Sequence, residues 1–318
     1  MGRRFLLLLM LAAGLGAAPA AYSACDVKSP AQEIFAHPEL MKMHATFQDY
    51  EIRVFDSEDC DAAMFKDRSG LEILKAGKRV YAETGYGYAV GYPLEQDQPP
   101  DSVKLKVGDD ITGEGQPELL VSEWTGGAHC CYSFAIFRLG TDFRKIQDIS
   151  LFDADESAFV RRPGVKSLVL NTYDYSAFAY FPTSFAGSPA GRVLLSFQEG
   201  RFRLDQWLMK ANAPAKGETD KCAALFRKSR DWKQGQSMGM WYYATDLIYT
   251  GNQAQALGFL KQSWGGSAAD RDKYLGEYQA RLTKSVYYPQ LKLLQQMGSA
   301  ASDQKIDWTK QCFEYLQG

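Results

Sequence analysis

Between Asp110 and Glu118 the chain reads Asp110-Ile111-Thr112-Gly113-Glu114-Gly115-Gln116-Pro117-Glu118. Oxygen-bearing side chains recur at every second position, Asp110, Thr112, Glu114, Gln116 and Glu118, and Gly115 allows a sharp bend among them. Hard cations are held in this way, by several oxygens converging from one short loop. A second group of chemically active residues follows at Gly126-Gly127-Ala128-His129-Cys130-Cys131. Neighbouring residues of a strand point to opposite faces, so these three side chains converge poorly on a zinc ion. A nucleophile and its base meet across space rather than as chain neighbours, which argues against a Cys–His pair here. A vicinal disulfide after Gly126-Gly127, or bridges from Cys130 and Cys131 to other cysteines, are the open alternatives. Asp153, Asp155 and Glu156 are close in sequence, but glycoside hydrolysis needs two carboxyls facing one another across a cleft. No Walker loop or H-E-x-x-H motif is present.

These residues must be positioned by strands. Apolar runs flank the acidic turn throughout 102–139, and the pattern of residues 51–210 is β: alternation at Glu51–Phe55, Gly/Tyr mixing at Arg79–Tyr92, and runs at Phe143–Phe152, Val165–Asn171, Arg192–Phe197 and Arg201–Leu208. An acidic turn followed by an apolar strand recurs at 152–170, which suggests propeller-blade-like repeats as one arrangement. Residues 25–50 predict a short helical segment, with Leu40, Met43 and Phe47 on one face. The stretch 211–217, Ala-Asn-Ala-Pro-Ala-Lys-Gly, predicts a linker, and 218–318 an α-helical region. Its Trp241–Trp264 part, turning at Gly251, resembles one unit of a tetratricopeptide array. The expected class is therefore α+β: an antiparallel β-rich domain followed by a helical C-terminal region. Tyr173, Tyr175, Phe178, Tyr180, Phe181 and Phe185 serve either as core packing or as the lining of a glycan or peptide groove.

The loop from Asp110 resembles the calcium-binding loops of FG-GAP and VCBS repeat proteins, D-x-[DN]-x-[DN]-G-x-x-[DE] before a strand. Asp110, Gly115 and Glu118 match that pattern, and Pro117-Glu118-Leu119-Leu120-Val121 continues as those repeats do. Thr112 and Glu114 depart from it. The resemblance covers the neighbourhood of 110–121 and implies calcium as cofactor. Asp110, Glu114 and Glu118 would supply carboxylates, Thr112 a hydroxyl, and Gln116 its backbone carbonyl. An EF-hand does not fit, since Val121 stands where its last glutamate belongs. Residues 110–139 with Phe178–Pro189 also resemble exported bacterial proteins of unassigned function, which implies an exported β domain with a helical tail.

Export is written at the N-terminus. Arg3 and Arg4 precede an apolar run, Phe5–Leu15, and small residues follow to Ala24, the pattern of residues 1–24 as a signal peptide. Tyr22 stands where lipid-attachment boxes carry leucine, which favours a periplasmic or secreted protein over a lipoprotein at Cys25. In an oxidising compartment the six cysteines read as bridges. Cys25 with Cys60, and Cys222 with Cys312, bracket the two ends, leaving Cys130 and Cys131. The 318 residues carry 36 basic and 38 acidic side chains without a basic stripe, which excludes nucleic acid as a partner. No later segment is apolar enough to span a membrane. Two functions from different classes fit: a non-catalytic binding or structural module of the bacterial envelope, calcium-stabilised, whose partner is an envelope protein or glycan; or an envelope hydrolase acting on glycan or peptide, with Glu123 and His129 in a cleft. Exported material is expected to begin after Ala20 or Ala24. Loss of Arg3 and Arg4 takes its formal charge from −2 to −4. N-terminal sequencing checks this, and an intact Met1 would overturn it.

Overall fold

Met43, Ala45 and Phe47 alternate with Lys42, His44 and Thr46, and a strand is the conformation that puts the first three on one face. The computed structural model describes residues 34–57, 68–93, 99–126, 131–154, 156–182, 184–185, 187–228, 238–298 and 304–317. Among them, Met41–Phe47 is strand β1, paired with β2 (Tyr50–Asp56) across a turn with Gln48 at positive φ. The helical segment expected over 25–50 is thereby corrected. Only two short 3-10 turns, Ile34–Ala36 and Pro38–Leu40, precede the strand. The spacing of Leu40, Met43 and Phe47 suits a helix, but pairing with β2 buries Met43, Ala45 and Phe47 together, and tertiary contact overrides the local pattern.

Among the described residues twelve strands form three antiparallel sheets, each a meander of four consecutive strands. The first holds β1, β2, β3 (Ser69–Lys75) and β4 (Lys78–Gly85). The second holds β5 (Gly87–Val90), β6 (Glu118–Trp124), β7 (Tyr132–Arg138) and β8 (Arg144–Phe152). In the third, β9 (Ala158–Val160), β10 (Val169–Asp174), β11 (Gly191–Gln198) and β12 (Arg201–Leu204) pair in chain order. Among the described residues seven α-helices follow, so the class is α+β with a β-rich N-terminal part. They are α1 (Gln206–Met209), α2 (Lys216–Lys228), α3 (Met238–Tyr249), α4 (Gln253–Ser263), α5 (Ala268–Leu282), α6 (Tyr288–Gln296) and α7 (Trp308–Gln317). None of the described helices is long and apolar enough to cross a membrane.

The second sheet lies between two cores. Leu119, Val121 and Phe137 pack with Ile52, Val54, Leu71 and Ile73 of the first sheet. The alternate residues Leu120, Phe134 and Ile136 pack with Val169, Leu170 and Phe202 of the third sheet, in a cluster that continues into the helices. Burial on both faces explains the near-continuous apolar run of β6. On the far side of the third sheet, α3 approaches so closely that a Cβ on Gly191 would lie 2.4 Å from the Tyr249 ring.

Residues 206–209 turn into α1 where a strand to Leu208 was expected, because Asp205 caps the backbone N–H groups of Trp207 and Leu208. The segment 211–217, expected as a linker, is pinned at its start. Ala211 is buried and bridges Gln304, Asn212 exchanges hydrogen bonds with the backbone of Ile306, and the Trp308 indole donates to the Asn212 carbonyl. The aromatics of 173–185 split. Phe178 and Phe181 are fully buried against Tyr278 and Trp241, whereas Tyr180 is exposed.

Cys222 of α2 and Cys312 of α7 form a disulfide, with Cα atoms 6.0 Å apart. Cys131 is also disulfide-bonded, while Cys25, Cys60 and Cys130 lie outside the described residues, as does the signal segment. The Cys222–Cys312 bridge spans 90 residues and so restricts a long stretch of unfolded chain. Replacing both cysteines with serine is expected to lower stability by about 2–4 kcal/mol. Urea denaturation of the two proteins side by side measures this, and coincident curves would contradict it.

Candidate functional site

The acidic loop is drawn inward by the residue that ends it. Glu118 opens β6 directly opposite Arg138 of β7, and it is fully buried. Its Oε2 accepts the backbone N–H groups of Ile111 (2.9 Å) and Thr112 (2.8 Å), and its Oε1 accepts the Thr112 hydroxyl at 2.7 Å. Arg138 reaches the same Oε1 at 3.4 Å and forms an ion pair with Glu114. Asp110 accepts from Gly113 N–H at 2.8 Å and Gly115 N–H at 2.9 Å. Both glycines have positive φ, which L side chains rarely adopt, and Gly113 also lies too close to the Lys166–Ser167 backbone to tolerate a Cβ. Gln116 is exposed. Burial pushes the Glu118 carboxyl up, against the opposing effect of the Thr112, Ile111 and Arg138 donors.

Each carboxylate expected as a calcium ligand thus has partners from the chain itself. Among the described residues no group of three or more His, Cys, Asp or Glu side chains is placed to hold a metal ion. The donor set, as folded, suits N–H groups and a guanidinium and does not fit a bare cation. Arg138 carries no signal in the linear sequence. Only the cross-strand register brings it to the loop.

A second polar group lies at the other end of β6. Glu123 shares its strand face with Leu119 and Val121 and so turns toward the core between the first two sheets. Tyr88 of β5 and Ser133 of β7 stand directly opposite it on either side. The Ser133 hydroxyl donates to Glu123 at 3.2 Å. The Tyr88 hydroxyl is buried beside the Glu123 carboxyl, outside ideal hydrogen-bond geometry but close enough that the two groups shift one another's protonation. Gly85 makes the space in which the two groups meet: a Cβ there would sit 2.8 Å from Glu123 Oε1 and 2.8 Å from the Tyr88 hydroxyl.

Charged and aromatic neighbours frame this row. Lys145 of β8 bridges Glu83 (3.4 Å) and Asp148 (2.9 Å) and lies 5.3 Å from the centre of the Tyr81 ring. The Tyr81 hydroxyl donates to Glu83. Burial raises the Glu123 carboxyl above its ordinary value of 4.5, with Ser133 opposing and the Glu83 charge adding to the shift. Burial also pushes Tyr81 up to about 12, and Tyr88 well above its usual range.

Of the residues singled out in the sequence, Glu123 enters this cluster, and His129 and Cys130 lie outside the described residues. The described histidines are elsewhere, His37 beside Glu39 and His44 beside Glu51. Asp155 is outside the described residues and Glu156 is exposed. Tyr88, Ser133, Glu83, Tyr81 and Lys145 come from four strands. Their one sequence signal is Glu123 itself, a charge on the buried face of an otherwise apolar strand. No family model, curated protein or solved structure matches the chain.

The raised Glu123 carboxyl has a sign for stability. A carboxyl with a higher pKa folded than unfolded contributes stability below about 4.5, and that contribution is lost as pH rises through the folded value. Between those limits wild-type stability should fall with rising pH more steeply than that of Glu123→Gln. Denaturation midpoints across that window test this, and parallel slopes would count against an elevated Glu123.

Proposed function

We propose that the chain is an exported, non-catalytic binding module of the bacterial envelope, and that the row Tyr88–Glu123–Ser133 is its ligand site, with a hydroxyl-rich glycan as the ligand class. The observation that carries this reading is the convergence of the Glu123 carboxyl and the Tyr88 hydroxyl over Gly85. A carboxylate acceptor and a hydroxyl donor held side by side match the donor and acceptor that each sugar hydroxyl carries. Carboxylates accept sugar hydroxyls, Lys145 and Tyr88 offer donors, and tyrosine rings pack on apolar sugar faces. Folding by itself consumes the acidic loop, so that loop serves as scaffold in this reading.

One observation favours a second reading, an envelope hydrolase acting on glycan or peptide. Glu123 is raised by burial, Glu83 lies close enough for its charge to add to that shift, and two neighbouring carboxyls are what acid–base hydrolysis needs. Against it, Glu83 is already held by Tyr81 and Lys145, and Ser133 faces a carboxylate instead of an imidazole.

Calorimetric titration of the mature protein with soluble peptidoglycan fragments separates the two. Binding is expected without new reducing ends or new amino groups. Glu123→Ala should weaken it tenfold or more, about 1.4 kcal/mol or greater, and Tyr88→Phe by a smaller factor. Steady product release that Glu123→Gln abolishes would establish the hydrolase. Absence of any binding would remove the glycan reading.

A further inference from the structure

We propose that the Arg138 guanidinium stands in the cation position of the 110–118 loop, so that the loop closes without a metal, and that removing this side chain opens a divalent-cation site of the calcium type. A loop with oxygens at alternate positions brings carboxylates together, and their repulsion has to be balanced by a positive charge. Here Glu114 and Glu118 both meet the same atom, Nη2 of Arg138. The Nε of that guanidinium has no hydrogen-bond partner. Arginine usually engages carboxylates through its fork, with two parallel hydrogen bonds. One terminal nitrogen bridging two carboxylates behaves instead as a point charge, the role an ion would play.

The surrounding geometry supports the substitution. Arg138 is largely buried, its side chain 12% exposed, so its charge acts where water screens it little. It is placed by the ladder, directly opposite Glu118, and not by a flexible segment. The loop backbone has the bend that an ion-binding loop requires, with Gly113 and Gly115 at φ +75° and +71° and Asp110 accepting from both. Thr112, which departs from the calcium-loop pattern, has its hydroxyl turned onto Glu118. One positive charge meets the carboxylates of Glu114 and Glu118, and the Asp110 carboxylate belongs to the same loop, held there by the Gly113 and Gly115 N–H groups. A variant without that charge would leave a strongly negative pocket with its backbone already shaped for a cation.

The test compares wild type, Arg138→Met and Arg138→Lys in calcium and in chelator, by thermal melting and by native mass spectrometry. Wild type is expected to melt at the same temperature in both and to retain no calcium. Arg138→Met, similar in length but uncharged, should melt lower in chelator, recover with calcium and retain one ion per chain, with affinity at least tenfold above that of wild type. Adding Glu118→Gln to it should abolish the recovery. Arg138→Lys keeps a point charge and should remain indifferent to calcium. Should Arg138→Met fail to fold in chelator, calcium-dependent refolding from urea gives the same answer. Calcium binding by wild type that Asp110→Ala removes would overturn the proposal, as would an Arg138→Met protein that neither binds calcium nor refolds with it.

Discussion

A sheet with apolar contacts on both faces has no solvent side on which to place polar residues, and the second sheet of this protein is in that position. Leu119, Val121 and Phe137 are committed to the first sheet, and Leu120, Phe134 and Ile136 to the third. Whatever polar groups β6 carries must therefore find partners within the protein or lie at a strand end. Glu118 and Glu123 do the latter, one at each end of the strand, and Ser122 in the middle turns its hydroxyl toward the Ala89 carbonyl. The two chemically interesting places in the molecule are the two ends of one doubly buried strand.

The same logic governs the junction of sheets and helices. Asp174, at the end of β10, is fully buried and accepts from the Ser176 backbone and hydroxyl, the Tyr249 hydroxyl of α3 and the Ser285 hydroxyl between α5 and α6. One carboxylate thus ties the third sheet to two parts of the helical region through uncharged donors. Around it Phe178, Phe181, Trp241 and Tyr278 pack ring against ring in the shared core. Asp246 of α3 holds Tyr315 of α7 from the other side, and burial pushes its carboxyl up to about 6. The Cys222–Cys312 bridge then fastens α7 to α2. The helices are consequently an extension of the β core.

Near-neutral net charge conceals a strongly partnered electrostatic interior. Glu72, nearly buried in β3, is met by Arg53 and Arg79 from the strands on either side, and Glu118 by Arg138 in the same cross-strand manner. Such pairs fix register, since a slip of one residue would leave a buried carboxylate without its cation. Register in turn decides which residues surround Glu123. The electrostatics that align the strands also assemble the candidate site.

Much was legible in the sequence because it is encoded locally. The β-rich half and the helical half followed from the change in periodicity, and α3, α4 and α6 from their stops and starts at Gly251, Gly265 and Pro289. The bend at Gly115 followed from spacing alone, as did the pairing of Cys222 with Cys312 from their positions at the ends of the helical region. Local pattern misled at Met41–Phe47, where a helix-like spacing yields to a strand once β2 is available to pair. What the sequence could not hold is adjacency between strands. Arg138 lies far along the chain from Asp110, and Tyr88 and Ser133 are remote from one another, so the neighbours of Glu118 and Glu123 exist only once the ladder has set its register. Residue types and local conformation are properties of short segments, whereas the environment of a side chain is a property of the packed sheets, and that environment decides whether a carboxylate holds an ion, a guanidinium or a ligand.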